Sequence, residues 1–326
     1  MPSEPPPILL EPLIREKPWG GDWLSKRLGK PVMIGGRAGE SWEAASVAGV
    51  SNPIREGPGA GGTLEALLRE DGPAIIGREG PSLPLLFKYI HARDHLSVQV
   101  HPDSEIARRH TGRPEGKTEA WRILAAEEGA TARLGLDSRS DRGAFQRALD
   151  EGRAEDCLVR HTARPGDTYL IPAGCIHAIG GGVLIAEIQE ASDITYRFAD
   201  WGRLPDSSAD SRPIDLEKAF ESARLDLAGP FSWTPAEVTT QGAVRRERFV
   251  SDAFIFEALD GDGEIEVERP GGFEIISVAG GETLIRSGGG EASLRLGETA
   301  LLPKGKTPLI LRMRGALVLR SYLPTA

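Results

Sequence analysis

From Leu96 to His101 the chain alternates strictly: apolar Leu96, Val98 and Val100 interleave with polar Ser97, Gln99 and His101. A strand points successive side chains to opposite faces, so this period of two predicts a strand with one apolar face and one face bearing Gln99 and His101. The same geometry in GKTEAWRIL puts Lys117 and Glu119 together on a second strand. Two strands that project polar pairs inward are how a β-barrel acquires a site.

Further along, eight short apolar runs follow one another: FIFEAL, EIEVE, FEIISVAG, ETLIRSG, ASLRL, TALLP, LILRM and ALVLRSYL. Glycines separate several of them, which predicts a small all-β sandwich or barrel. Helical periodicity is confined to three places. TLEALLRE at 63–70 has Thr63 as its N-cap, 138–151 sets Ala144, Phe145, Ala148 and Leu149 on one face, and 215–225 (DLEKAFESARL) is the third. The last two are expected at the periphery of a β core. The mixed, Pro-containing stretch 226–243 places a boundary near 240, giving domains 1–240 and 241–326.

One pattern occurs twice. Gly166, five residues, Pro172, one residue, Gly174, two residues and His177 match Gly297, five residues, Pro303, one residue, Gly305, two residues and Pro308. Each copy reads as turn, strand and Pro-x-Gly turn. The first delivers an imidazole; the second ends on Pro308, which binds no metal.

Composition changes the picture little. Among 326 residues, 40 Gly and 24 Pro agree with many turns between short strands. A net charge of −9 with no basic tract excludes nucleic acid as a partner. Nothing approaches the ~20 apolar residues of a membrane helix, and MPSEPPPILLEP lacks the basic start of a signal peptide. Two cysteines, Cys157 and Cys175, are too few for a disulfide framework and suit a cytoplasmic protein. Separately, a monomer or homodimer is expected.

The chemistry concentrates in Gln99, His101, Glu119 and His177, a set of two imidazoles, a carboxylate and an amide that suits a borderline cation such as zinc. His91, His95, His110 and His161 lie outside any such motif and read as ordinary hydrogen-bonded histidines. Gly180–Gly182 lacks the Lys-Ser/Thr and helix of a phosphate loop, so close packing or ligand clearance explains it. Trp19 and Trp42 suit core packing as well as sugar stacking.

The repeated Gly-x5-Pro-x-Gly-x2-His pattern resembles the second motif of the cupin superfamily. QVHPD, GKTE and IPAGCIHAIGGGVLIAEIQEASDITYR, with KPWGG and GESWE before them, resemble type I mannose-6-phosphate isomerases of the short bacterial form. The resemblance implies a mainly β fold of two cupin-like jelly-roll domains with peripheral helices, the second without metal. It implies one zinc ion per chain on Gln99, His101, Glu119 and His177, and a catalytic Arg197. Lys117 would stand in the substrate pocket and Asp193 near the arginine. The substrate class would be a sugar phosphate, with mannose 6-phosphate and fructose 6-phosphate interconverted through a cis-enediol(ate). The base stays open among metal-bound hydroxide, Lys117, Glu190 and Asp193; Lys88, Arg108 and Arg109 are candidates for the phosphate. Two departures stand out. Gly116 occupies the place of a His found in longer members, and Gln99 replaces the first His of the usual cupin His-x-His. Two other functions fit the same residues: a metal-dependent cupin oxygenase, since two His and a carboxylate also suit iron, and a non-catalytic sugar-binding cupin.

Overall fold

A computed structural model describes residues 4–33, 35–203, 214–227, 229 and 231–324. The fold is mainly β, as the alternating patterns require, with short helices. Two compact units arise. One comprises Met1–Glu16, Asp22–Tyr89 and Thr234–Ala326; the other comprises Lys17–Gly21 and Ile90–Trp233. The units are therefore discontinuous, and divide the chain differently from the 1–240 and 241–326 reading.

In the second unit, a five-stranded antiparallel sheet runs in the order Leu158–Thr162, Thr131–Leu136, His177–Ile179, Val98–Val100, Tyr196–Ala199. In a second sheet, Glu119–Ala126 lies between Thr168–Ile171 and Val183–Glu190. Trp19, Trp121, Ile123, Tyr169, Ile171, Ile179 and Ile185 fill one core of this unit. Val98 and Val100 face a different core, packed with Phe145 and Phe220 from the helices Arg142–Asp150 and Leu216–Ser222. Leu96 precedes the strand and joins the first core instead, so the alternation holds only from Val98 onward.

The helices lie where periodicity placed them, with shifted ends. Thr63 caps Leu64–Ile75 by accepting from Ala66 N at 3.3 Å, Asp141 caps Arg142–Asp150, and Asp215 caps Leu216–Ser222. Two further helices were not expected, Trp23–Leu28 and Ser104–Thr111. The second had a legible signal: Asp103 accepts from Ile106 N at its start and Gly112 ends it in the left-handed region.

In the first unit, the eight expected runs merge into fewer, longer strands. FIFEAL and EIEVE form Ile255–Val267, FEIISVAG and ETLIRSG form Glu274–Ser287, and LILRM and ALVLRSYL form Leu309–Tyr322. Glycines bend these strands without ending them. Gly261 sits at φ 141° where a Cβ would lie 2.0 Å from Ala243 O, inside a register shift that continues the pairing. The N-terminal strand Ile8–Leu10 pairs with Thr299–Leu302, Ile8 opposite Leu301. The two copies of the repeat give matching strands, Thr168–Ile171 and Thr299–Leu302, each preceded by a glycine at positive φ, Gly166 and Gly297.

Candidate metal centre

His177 opens the strand His177–Ile179 and stands directly opposite Gln99; Arg197 stands opposite Gln99 on the other side. Directly opposed residues of antiparallel strands share a face. Three neighbouring strands thus set His177, Gln99 and Arg197 in one row. His101 follows immediately after Val98–Val100, and Glu119 opens the strand Glu119–Ala126 of the other sheet.

His101, Glu119 and His177 converge, with donor atoms within 4.8 Å of one another. Among the described residues this is the one such group of His, Cys, Asp or Glu. Relative exposures are 1%, 1% and 0%, so all three side chains are buried. Backbone carbonyls fix both imidazoles. Nδ1 of His101 lies 3.1 Å from Ile194 O, and Nδ1 of His177 lies 3.0 Å from Cys175 O. A carbonyl only accepts, so each Nδ1 carries the proton and each Nε2 presents a lone pair inward. Those lone pairs meet the Glu119 carboxylate, His101 Nε2 at 3.2 Å and His177 Nε2 at 3.6 Å.

Lys117 supplies the positive charge for this cluster. Its Nζ donates to Glu119 Oε2 at 2.6 Å and to His101 Nε2 at 2.9 Å, and lies 3.9 Å from Glu187 Oε1. Burial, then the nearby ammonium, holds the His101 imidazole down at about 3. Burial works against ionisation of Glu119, but the adjacent Lys117 ammonium, foremost among the opposing influences, keeps the carboxyl well below its ordinary range. Both groups are thus in the protonation states a metal ligand needs. The ammonium stands where two of the donors aim, a position a divalent cation would contest. Two unprotonated imidazole nitrogens, an ionised carboxylate and a nearby amide fit such an ion.

Gln99 reaches the same place. Its Nε2 lies 3.1 Å from His177 Nε2, while its Oε1 accepts from Ser97 Oγ at 3.0 Å. Ser97 Oγ in turn accepts from Arg197 Nε at 3.2 Å.

The other expected residues are more dispersed. Glu190 Oε2 accepts from Thr118 N at 2.8 Å and Glu190 N donates to Thr118 O, so Glu190 grips the backbone between Lys117 and Glu119. Asp193 pairs with Arg113 at 2.5 Å. Lys88 is buried on the strand Leu85–Ala92, within the part of that strand belonging to the other unit. Arg108 and Arg109 are exposed on the helix Ser104–Thr111.

Four residues went unnoticed as parts of the site or its support: Ser97, Trp121, Glu187 and Gln189. Trp121 meets the His177 ring edge-on at 5.5 Å, and Glu187, opposite Trp121 in the sheet, is 2% exposed. Gln189, opposite Glu119, donates from Nε2 to Glu190 O and Ser192 O, holding the segment whose Ile194 carbonyl orients His101. The signal was present in VLIAEIQE, where Glu187 and Gln189 are spaced by two within a buried apolar strand. Gly180 and Gly181 are a packing feature: a Cβ at these positions would lie 2.5 Å from Thr131 O and 2.8 Å from Arg93 O. Trp19 is a core residue.

Comparison with known proteins agrees with this arrangement. Residues 8–119 match the family model described as phosphomannose isomerase type I, catalytic domain. A mannose-6-phosphate isomerase of Streptococcus mutans is 30% identical over 91% of this chain and 92% of its own. A probable mannose-6-phosphate isomerase, GmuF, of Bacillus subtilis is 37% identical over 66% of this chain and 67% of its own. The crystal structure of the mannose 6-phosphate isomerase from Bacillus subtilis superposes with a TM-score of 0.87 at 30% identity, covering 97% of this chain and 99% of that one. With its cupin fold and a buried His–Glu–His cluster, the chain belongs to the type I mannose-6-phosphate isomerases.

Proposed function

We propose that the chain interconverts mannose 6-phosphate and fructose 6-phosphate through a cis-enediolate, with one zinc ion held by His101, His177, Glu119 and Gln99. The carrying observation is the pair of Nε2 lone pairs, each fixed by a backbone carbonyl on Nδ1, that meet the buried Glu119 carboxylate.

In this isomerisation a proton leaves C2 of the aldose and one is added at C1, while the hydroxyl proton passes from O2 to O1. A bound zinc ion supplies Lewis acidity toward the sugar oxygens, where negative charge develops. Arg197, in line with Gln99 and held at Nε by Ser97, supports an enediolate oxygen through its guanidinium. Of the side chains considered for proton transfer, Lys117 reaches the ligand cluster, and its Nζ has a second carboxylate, Glu187, 3.9 Å away. In this reading Lys117 Nζ takes the C2 proton as the neutral amine and returns one to C1, which requires the ammonium beside Glu119 first to release a proton to solvent. Glu190 and Asp193 are engaged with Thr118 N and Arg113, which suits positioning. The sugar phosphate as substrate and a cytoplasmic location accord with the family and with two buried free cysteines; no described helix is long and apolar enough to cross a membrane.

The test is turnover of mannose 6-phosphate in deuterated water. Fructose 6-phosphate carrying deuterium at C1 is expected, with activity lost on chelation and restored by zinc. Oxygen consumption without isomerisation would favour an oxygenase instead. Sugar-phosphate binding without turnover in zinc-loaded protein would leave a binding module.

A further inference from the structure

We propose that Ser97 is a positioning residue that turns the Gln99 amide toward the cation and ties it to Arg197; this rests on the metal reading above. Ser97 is 5% exposed and its hydroxyl touches both side chains, donating to Gln99 Oε1 at 3.0 Å and accepting from Arg197 Nε at 3.2 Å. A hydroxyl has one donor and two acceptor positions, so it can serve either end of the Gln99 amide without moving.

The direction of this chain of hydrogen bonds is set at His177. Its Nδ1 proton is committed to Cys175 O, so Nε2 accepts, and Gln99 Nε2 donates to it at 3.1 Å. Only the amide oxygen then remains for Ser97. A cation that takes the Nε2 lone pair removes the acceptor for the Gln99 N–H, and an amide ligates through its oxygen. Both demands are met by a half-turn of the amide. Oxygen then faces the cation, and the N–H group faces Ser97 Oγ, which accepts from Gln99 and Arg197 together. Ser97 is thus a reversible partner, and its hydroxyl couples the ligand to the guanidinium in the next strand.

The residue's place beside the strand supports this role. Ser97 stands immediately before Val98–Val100 with its hydroxyl on the Gln99 side chain, while Val98 and Val100 are buried in the opposite core. Without the hydroxyl, the turned amide loses its partner and Arg197 loses the contact at Nε.

The experiment is zinc affinity by chelator competition on the full chain, with kcat measured at saturating zinc. Ser97→Ala is expected to weaken zinc about 10- to 100-fold, the range for groups that orient metal ligands, and to lower kcat even when zinc is saturating. Ser97→Cys, which leaves no cavity but only a weak donor, is expected to do the same. Ser97→Thr keeps the hydroxyl and should retain parental affinity. In a Gln99→Ala background, Ser97→Ala should cost no further affinity, a result that a general loss of packing would not give. The proposal is overturned if Ser97→Ala and Ser97→Cys bind zinc like the parent while Gln99→Ala does not, or if the losses of the two single variants add in full. Unchanged zinc affinity in Gln99→Ala itself would instead remove Gln99 from the metal reading, and this proposal with it.

Discussion

Nζ of Lys117 lies 2.6 Å from Oε2 of Glu119, with both side chains buried. The ammonium also caps the Nε2 lone pair of His101 at 2.9 Å, so it holds two of the donor atoms a cation would use. In the proposed zinc site a divalent ion would have to displace it, and Glu187, 3.9 Å away, is a carboxylate able to receive it. Lys117→Met should therefore tighten zinc binding by about tenfold, the ratio produced by ~1.4 kcal/mol, while abolishing most turnover. Titration of metal-free protein with zinc, alongside the isomerase rate, checks both halves. Weaker zinc binding in the variant would show that Lys117 supports the ligands rather than competes for them.

On the proposed function, Arg197 is separable from the metal. Its row position beside Gln99 brings it to the site without placing it among the ligands. Arg197→Ala should keep zinc stoichiometry near the parent's and lower kcat by about 10²- to 10³-fold, the usual cost of one donor to a developing oxyanion. Metal analysis of the purified variant next to steady-state kinetics tests this. Loss of zinc together with activity would contradict it.

Glu119 is the one carboxylate among the converging donors, and its removal acts on the metal first. Glu119→Gln preserves shape but leaves a neutral site with buried Lys117 uncompensated by its nearest partner. Zinc content should fall well below one ion per chain, and the metal-free protein should be destabilised by ~3–5 kcal/mol, as for other broken buried pairs. Chemical denaturation and metal analysis measure the two effects.

In the other unit, Glu257 predicts a pH effect unrelated to the metal centre. Burial pushes its carboxyl up, but Arg320 at 2.9 Å and Arg246 at 2.5 Å more than reverse this and hold it below the ordinary value of 4.5. The unfolded chain takes up this proton near the ordinary value, the folded chain only at lower pH. The stabilisation is therefore full above about 4.5 and is lost as pH falls through the lower folded value. Glu257→Gln should lower stability at neutral pH and flatten this part of the acid limb. Denaturation midpoints from about pH 7 to about pH 3 would show it; parallel curves for parent and variant would refute it.

Gly261 offers a test of the bent strand. Its φ of 141° and the 2.0 Å approach of a Cβ to Ala243 O leave no room for a side chain. Gly261→Ala should destabilise the chain by ~2 kcal/mol or more, with kcat per folded molecule unchanged. Thermal melts and active-site-normalised rates would separate the two.

The residue pattern alone determined the β class, the face shared by Gln99 and His101, three of the helices, one with its Thr63 cap, and the repeat that ends in His177 once and in Pro308 the second time. These are legible because side-chain alternation, N-caps and Pro-Gly turns act over a few neighbouring residues. Tertiary structure decided the rest. Only pairing across the sheets sets His177, Gln99 and Arg197 in one row, and only folding brings Ile8–Leu10 beside Thr299–Leu302. Likewise, Glu187 and Ser97 become part of the site through what stands opposite or beside them. Burial and hydrogen bonding depend on partners far away in the chain, and a local pattern carries no record of those partners.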